Sequence, residues 1–119
     1  MAICIATAGG VLKVAATSFL LSWTHSVEKI PWEESWTVTS QGLVLSEARI
    51  KGSGAGMDPP ADAVLEDGWY HYRPHIPPRQ EIVLAASGKT GGGWTFCAAQ
   101  KCIELGKEQA TPIHIKPCD

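Results

Sequence analysis

The stretch TSFLLSWTHS, residues 17–26, decides the fold class of this chain. Successive side chains of an extended strand point to opposite sides, so Phe19, Leu21, Trp23 and His25 share one face. The alternation predicts a half-buried β-strand with this set as its core face. His25 is the last member of the set, and we expect it at the rim of the core, where the hydrophobic layer meets a loop.

Turn signals recur along the rest of the chain at short intervals, and the runs between them are rich in Val, Ile, Thr, Trp and Tyr. This pattern is typical of an all-β sandwich or barrel. Helical turns are conceivable only within 27–35 and 60–65, because apolar residues rarely recur at helical spacing. The predicted strands are 2–8, 11–16, 18–25, 34–41, 43–51, 68–73, 81–87, 93–98, 101–105 and 112–117.

A chain of 119 residues is long enough for one domain with one core. We therefore predict a single all-β domain over residues 1–119, built as an antiparallel sandwich or partly closed barrel of about 8–10 short strands. The composition, 45% hydrophobic and 18% charged, is that of a folded protein.

Charge and motifs exclude several classes of function. The net charge is −2 and the basic residues are spread singly, which argues against nucleic acid as a partner. Gly88-Lys89-Thr90 resembles the end of a phosphate-binding loop, but Val83 occupies the position that needs the first glycine, and a strand-like run follows instead of a helix. We expect no cofactor.

The four cysteines predict disulfides and an oxidising compartment. Cys97 and Cys102, in CAAQKC, are expected to pair across a tight hairpin. Whether Cys4 and Cys118 also pair, near the two ends, is open at this point. A zinc set of Cys97, Cys102, His114 and Cys118 is the alternative, but its first spacing is looser than in zinc knuckles.

The first 24 residues contain no stretch of the ~18 apolar residues that a spanning helix needs, and no signal peptide with a basic start and a cleavage site. We therefore expect a periplasmic protein, or a membrane-associated one facing the periplasm, whose native export segment is absent from this chain.

The stretch WTHSVEKIPWEESW, residues 23–36, concentrates reactive side chains around a predicted hairpin. A pair of His25 with a carboxylate such as Glu34 would suit a general base or half of a metal site. The simpler interpretation is a histidine hydrogen-bonded to a glutamate that fixes the hairpin. A Ser–His triad is not supported, because Ser26 points away from its neighbour on a strand.

Two other features have both a structural and a functional interpretation. The glycines of KGSGAGMDPP, residues 51–60, either form a tight bulge or offer backbone N–H groups to an anion such as a carboxylate. Trp23 is predicted in the core. The four other tryptophans are predicted to be half-exposed at turns or strand starts, as a ligand platform or as seals at the ends of the sandwich. They are Trp32, Trp36, Trp69 and Trp94.

Several segments together carry a family resemblance: THSVEK (24–29), WEE (32–34), EARIKGSGAGMDPP (47–60), DGWYHY (67–72) and ASGKTGGGWTFC (86–97). They resemble the bacterial domain-of-unknown-function family 1850 over nearly the whole chain. The resemblance implies a setting rather than a chemistry. Members are commonly encoded beside TRAP transporters of the TAXI class, which use a periplasmic substrate-binding protein, and many carry an N-terminal export or anchoring segment.

From this resemblance we expect an exported accessory protein that binds a small acidic solute or a transporter component, either the membrane subunit or its substrate-binding protein. The residues predicted to bind are His25, Ser26, Glu28, Glu34, Gly54, Ala55 and Gly56. The alternative is a metal-binding or hydrolase-like enzyme centred on His25, Glu28 and Glu34. Both interpretations place His25 near Glu34 and the Gly54–Gly56 backbone.

Overall fold

The computed structural model of the chain describes residues 1–24, 30–51, 60–85, 93–106 and 111–118. Within these ranges the chain forms β-strands and no helix, so no helix there is long and apolar enough to cross a membrane. The strands are β1 (Ala2–Thr7), β2 (Gly10–Val14), β3 (Ser18–Thr24), β4 (Pro31–Thr39), β5 (Gly42–Lys51), β6 (Val64–Glu66), β7 (Trp69–Tyr72), β8 (Ile82–Leu84), β9 (Trp94–Ala98), β10 (Lys101–Leu105) and β11 (Ile113–Cys118).

The strands form two antiparallel sheets that pack face to face. The smaller sheet has the order β2-β1-β11-β8, and the larger one has the order β10-β9-β3-β4-β5-β7-β6. The predicted all-β antiparallel sandwich is confirmed. Within the described ranges the two sheets do not join into a closed barrel, and they contain eleven strands, slightly more than predicted.

The core lies between the sheets and uses the alternation that the sequence predicted. Phe19 and Leu21 are buried, and Phe19 lies between the rings of Trp36 and Phe96, at centroid distances of 6.3 and 4.9 Å. Trp23 packs against the edge of this cluster and is only partly buried. The smaller sheet contributes isoleucines that are almost completely buried: Ile3, Ile5, Ile113 and Ile115.

A β-bulge in β5 changes which side chains face the core. Trp36 pairs with Leu45, but the preceding residue Ser35 pairs with Glu47, so Ser46 is an extra residue in β5. Leu43 and Leu45 are buried before the bulge, whereas after it the buried positions are Ala48 and Ile50. As a result Glu47 and Arg49 lie on the outer face of the larger sheet.

The structure contains neither of the two predicted helical turns in the residues that it describes. Residues 31–35 belong to β4, and residues 27–29 lie outside the described ranges. The 60–65 segment makes a turn closed by a hydrogen bond from Ala63 N to Pro60 O at 3.0 Å, and then enters β6. Asp67 and Gly68, with φ of 54° and 84°, form a tight turn that folds β6 back onto β7, so cross-strand pairing overrides helix formation.

Two disulfides are formed, one between Cys97 and Cys102 and one between Cys4 and Cys118. The first confirms the predicted hairpin link, and the second joins the first strand to the last. The alternative zinc set is wrong, because three of its four residues are consumed in disulfides. Two disulfides fit an oxidising compartment.

Candidate functional site

Of the seven predicted binding residues, only Glu34 lies in the part of the chain that the structure describes. The other six fall in two ranges outside it, 25–29 and 52–59. They are His25, Ser26, Glu28, Gly54, Ala55 and Gly56. The predicted proximity of His25 to Glu34 and the glycine-rich loop therefore stays a prediction.

Glu34 lies on the inner face of the larger sheet, in register with Leu21 on β3 and Ala48 on β5. Trp36 Nε1 donates a hydrogen bond of 3.1 Å to its carboxylate. Burial raises the pKa of Glu34, and the Trp36 hydrogen bond offsets part of that rise. Tyr72 is next in the same cross-strand row, and its pKa is raised by burial and by the negative charge of Glu34. Glu34 is thus a carboxyl group that holds its proton to higher pH than usual.

The outer face of the same sheet carries a network of charged side chains centred on Arg49. The strand register places Glu33, Arg49 and His71 side by side on β4, β5 and β7. Arg49 Nε donates to Glu33 Oε1 at 2.9 Å, Nη1 to Glu47 Oε1 at 2.9 Å, and Nη2 to Ser35 Oγ at 3.2 Å. His71 Nδ1 and Glu47 Oε1 are also hydrogen-bonded, at 2.9 Å. We call these five residues the Arg49 network.

The network fixes the imidazole of His71. The hydrogen bond with His71 and those from Arg49 hold the pKa of Glu47 below its usual value, despite an opposing effect of burial. Arg49 is 17% exposed and donates to three acceptors of the protein, so its role in the network is to position the two carboxylates. Because Nδ1 of His71 faces Glu47, Nε2 is the ring nitrogen that remains to contact a ligand.

A cavity of about 380 Å³ adjoins the network beside β7. Its lining is mostly titratable, and we call it the β7 cavity. The lining residues are Glu47, Asp62, Val64, His71, Tyr72, Arg73 and His75. None of them is a serine, threonine, cysteine or lysine, and the Arg73 guanidinium is the cation in the lining that suits an anion. Across the described ranges, no three His, Cys, Asp or Glu residues are grouped so as to hold a metal ion.

The sequence contains a signal for this site in two polar pairs on neighbouring strands. Polar residues alternate in SEARIK at Glu47 and Arg49, and in WYHYR at His71 and Arg73. The buried positions change from odd to even numbers across Ser46, which marks a bulge that turns the first pair outward. Each pair alone looks like an ordinary solvated strand face. Only the pairing of β5 with β7 brings the two pairs together.

The tryptophans form a separate cluster on the inner face. Trp94, Trp23 and Trp32 lie side by side on β9, β3 and β4, with centroid distances of 4.8 and 5.7 Å. Trp32, Trp94 and Trp69 are partly exposed, as predicted. The prediction was wrong for Trp36, which is 5% exposed and belongs to the core, because it lies in the middle of β4 and not at its start.

Comparison with known proteins gives one family. The family described as a domain of unknown function (DUF1850) matches residues 19–105, from the second residue of β3 to the last residue of β10. Neither a curated protein nor a solved structure matches the chain. The matched segment contains almost all of the larger sheet, the Arg49 network and the β7 cavity, and it covers well over half of the sequence. The chain therefore belongs to the DUF1850 family.

Proposed function

We propose that this chain is an exported accessory protein of a TAXI-type TRAP transport system, and that it binds a small acidic solute or a component of the transporter. The setting comes from the family, whose members are commonly encoded beside such transporters. The component would be the membrane subunit or the periplasmic substrate-binding protein.

The two disulfides support the export part of the proposal. Structural disulfides persist in oxidising compartments such as the periplasm and are rare where thiols are kept reduced. One of them joins the first strand to the last, and the other closes the β9–β10 hairpin.

The single observation that supports binding is the guanidinium of Arg73 in the β7 cavity. Arg73 and His75 line it and make no hydrogen bond or ion pair with any residue that the structure describes. Of the two carboxylates in the lining, Glu47 is already bonded to Arg49 and His71. A guanidinium presents paired N–H donors that match a carboxylate, so Arg73 is the group best suited to an acidic solute.

The Arg73 guanidinium could bind a carboxylate of a protein partner in the same way. An aspartate or glutamate side chain on a transporter component presents the carboxylate that a small solute would present. The Arg49 network fixes one wall of the cavity in advance, which lowers the conformational cost of binding either.

The solute version is tested by isothermal titration calorimetry with succinate and glutamate at pH 6 and pH 8. We expect saturable binding that weakens about tenfold or more in Arg73→Gln, because a charge-assisted hydrogen bond is lost. Lys116→Gln is the matched control, since Lys116 is an exposed lysine on β11 of the smaller sheet and does not line the β7 cavity. Absence of binding, or equal weakening in both variants, contradicts this version.

The partner version is tested by affinity capture from detergent-solubilised membranes and periplasm of the native host. We expect the membrane subunit or the substrate-binding protein to be recovered with the unaltered protein, and to be depleted with Arg73→Gln but not with Lys116→Gln. If neither component is recovered, the partner version loses its support.

A further inference from the structure

The sandwich is open at the side where strand β2 of the smaller sheet faces the β9–β10 hairpin of the larger one. A cavity of about 540 Å³ lies between them. Its walls include Leu12 and Val14 from β2, and Phe96 and Ile103 from the hairpin. Phe96 is only 2% exposed, so the cavity reaches the core of the sandwich. A volume of this size is in the range of small-molecule sites.

The apolar wall is exposed to water on the β2 side. Leu12 is 47% exposed although it lies on a strand and lines the cavity. β2 is an edge strand, so no further strand of the described sheet covers it. Covering this wall with an apolar ligand would remove hydrophobic surface from water, which favours binding in proportion to the area covered.

The charged residues that line the cavity are both lysines, Lys13 and Lys101, and no acidic residue lines it. Lys13 has an interaction of its own within the protein, so we assign the ligand's charge partner to Lys101. Lys101 is exposed at the first position of β10, at the mouth of the cavity. Apolar walls with a cationic mouth are complementary to an amphipathic anion.

The hairpin that carries Lys101 is held in a fixed shape. Ala99 and Gln100, at its tip, have φ of 51° and 65°, a left-handed conformation that is unfavourable for residues other than glycine. The Cys97–Cys102 disulfide links the two strands directly beside this tip. A covalently tied rim keeps Lys101 in place before a ligand arrives, which reduces the conformational cost of binding.

We propose that this cavity binds a medium-chain aliphatic carboxylate, with the alkyl chain against Leu12, Phe96 and Ile103 and the carboxylate beside Lys101. The site lies near the opposite edge of the larger sheet from the β7 cavity. It does not depend on the function proposed above.

The test is calorimetric titration of the full chain with decanoate, below the concentration at which decanoate forms micelles, and with decylamine as the probe of opposite charge. We expect saturable binding of decanoate and at least about tenfold weaker binding of decylamine, because the charge partner is a lysine. Lys101→Glu should weaken decanoate about tenfold and reverse the preference. Lys116→Glu, an exposed lysine on β11, should change neither.

The apolar wall is tested separately. Leu12→Ser should weaken decanoate about fivefold, whereas Val83→Ser, an equally exposed aliphatic residue on β8 at the other edge of the smaller sheet, should not. Both positions are exposed, so both variants should fold. The proposal is overturned if decanoate does not bind saturably, if decylamine binds as tightly, or if the control variants weaken binding as much as the cavity variants.

Discussion

His71 Nδ1 lies 2.9 Å from Glu47 Oε1, and Arg49 Nη1 donates to the same carboxylate oxygen at 2.9 Å. One oxygen atom thus joins a histidine on β7 to an arginine on β5. The contact exists because the bulge at Ser46 turns Glu47 to the outer face of the sheet. It places an orienting carboxylate behind the histidine that lines the β7 cavity.

Glu47 should make stability depend on pH. Its hydrogen bonds with His71 and Arg49 hold the pKa of Glu47 below 4.5 in the folded protein. A carboxyl group whose pKa is lower in the folded state stabilises the fold at pH values above its unfolded pKa. This stabilisation is lost as the pH falls through the folded pKa. We expect Glu47→Gln to lower the free energy of unfolding by up to about 1 kcal/mol at pH 7, since partial exposure screens the charges.

That difference should shrink as the pH falls through the folded pKa of Glu47, because the native carboxylate then takes up a proton. Urea denaturation at pH 7 and pH 3 measures it, with Glu66→Gln on the exposed edge strand β6 as the control. A difference that stays constant over this range would contradict the role given to the charge of Glu47.

Arg49 should be the most sensitive member of its network. Arg49→Met removes the cation that links Glu33 and Glu47, and we expect a loss of up to about 2 kcal/mol in the free energy of unfolding at pH 7, about 1 kcal/mol for each of two partly exposed ion pairs. Arg49→Lys should lower the free energy of unfolding by less than Arg49→Met, because the lysine keeps the positive charge. It should still be less stable than the unaltered protein, because one ammonium group cannot reproduce the planar set of donors of a guanidinium. Chemical denaturation measures both.

Lys51→Met is the matched control, because Lys51 lies two residues further on the same strand and face and contacts the ring of Trp69 instead. If Arg49→Met costs no more than Lys51→Met, the network does not stabilise the fold.

The fold was largely predictable because its signals are local. Alternation in residues 17–26 and regular turn spacing were enough to predict an antiparallel sandwich or partly closed barrel, and CAAQKC was enough for the hairpin of Cys97 and Cys102. The Arg49 network was not predicted, because its members come from three strands and their proximity depends on which strands are neighbours. β6 was missed because its pairing with β7, and not its own three residues, makes it a strand.

The two disulfides should differ in their contribution to stability. Cys4 and Cys118 are 114 residues apart in the sequence, whereas Cys97 and Cys102 are 5 apart. In the chain-entropy model, opening the long loop costs about 5 kcal/mol and opening the short one about 2 kcal/mol. Replacing each pair by serines and measuring guanidinium denaturation tests this ranking. A larger loss from the short link would show that it acts mainly by holding the β9–β10 tip.

Glu34 should have the opposite effect on stability from Glu47. Burial raises the pKa of Glu34 above 4.5 in the folded protein, so the unfolded carboxyl group ionises first as pH rises. The free energy of unfolding therefore decreases as the pH rises from the unfolded pKa to the folded pKa of Glu34. At higher pH this decrease stays constant. Glu34→Gln has no charge to bury and keeps an oxygen that accepts the Trp36 hydrogen bond.

We expect Glu34→Gln to match the unaltered protein near pH 4 and to exceed its free energy of unfolding at pH 8, by about 1 kcal/mol or less for a partly buried group. Glu34→Ala removes the acceptor and leaves the indole N–H of the buried Trp36 unpaired, which should cost about 1–3 kcal/mol at every pH. Thermal and urea denaturation from pH 4 to pH 8 separate the two. If Glu34→Gln destabilises the protein at pH 8, the ionised carboxylate must be stabilised in the folded state, and burial does not dominate at this position.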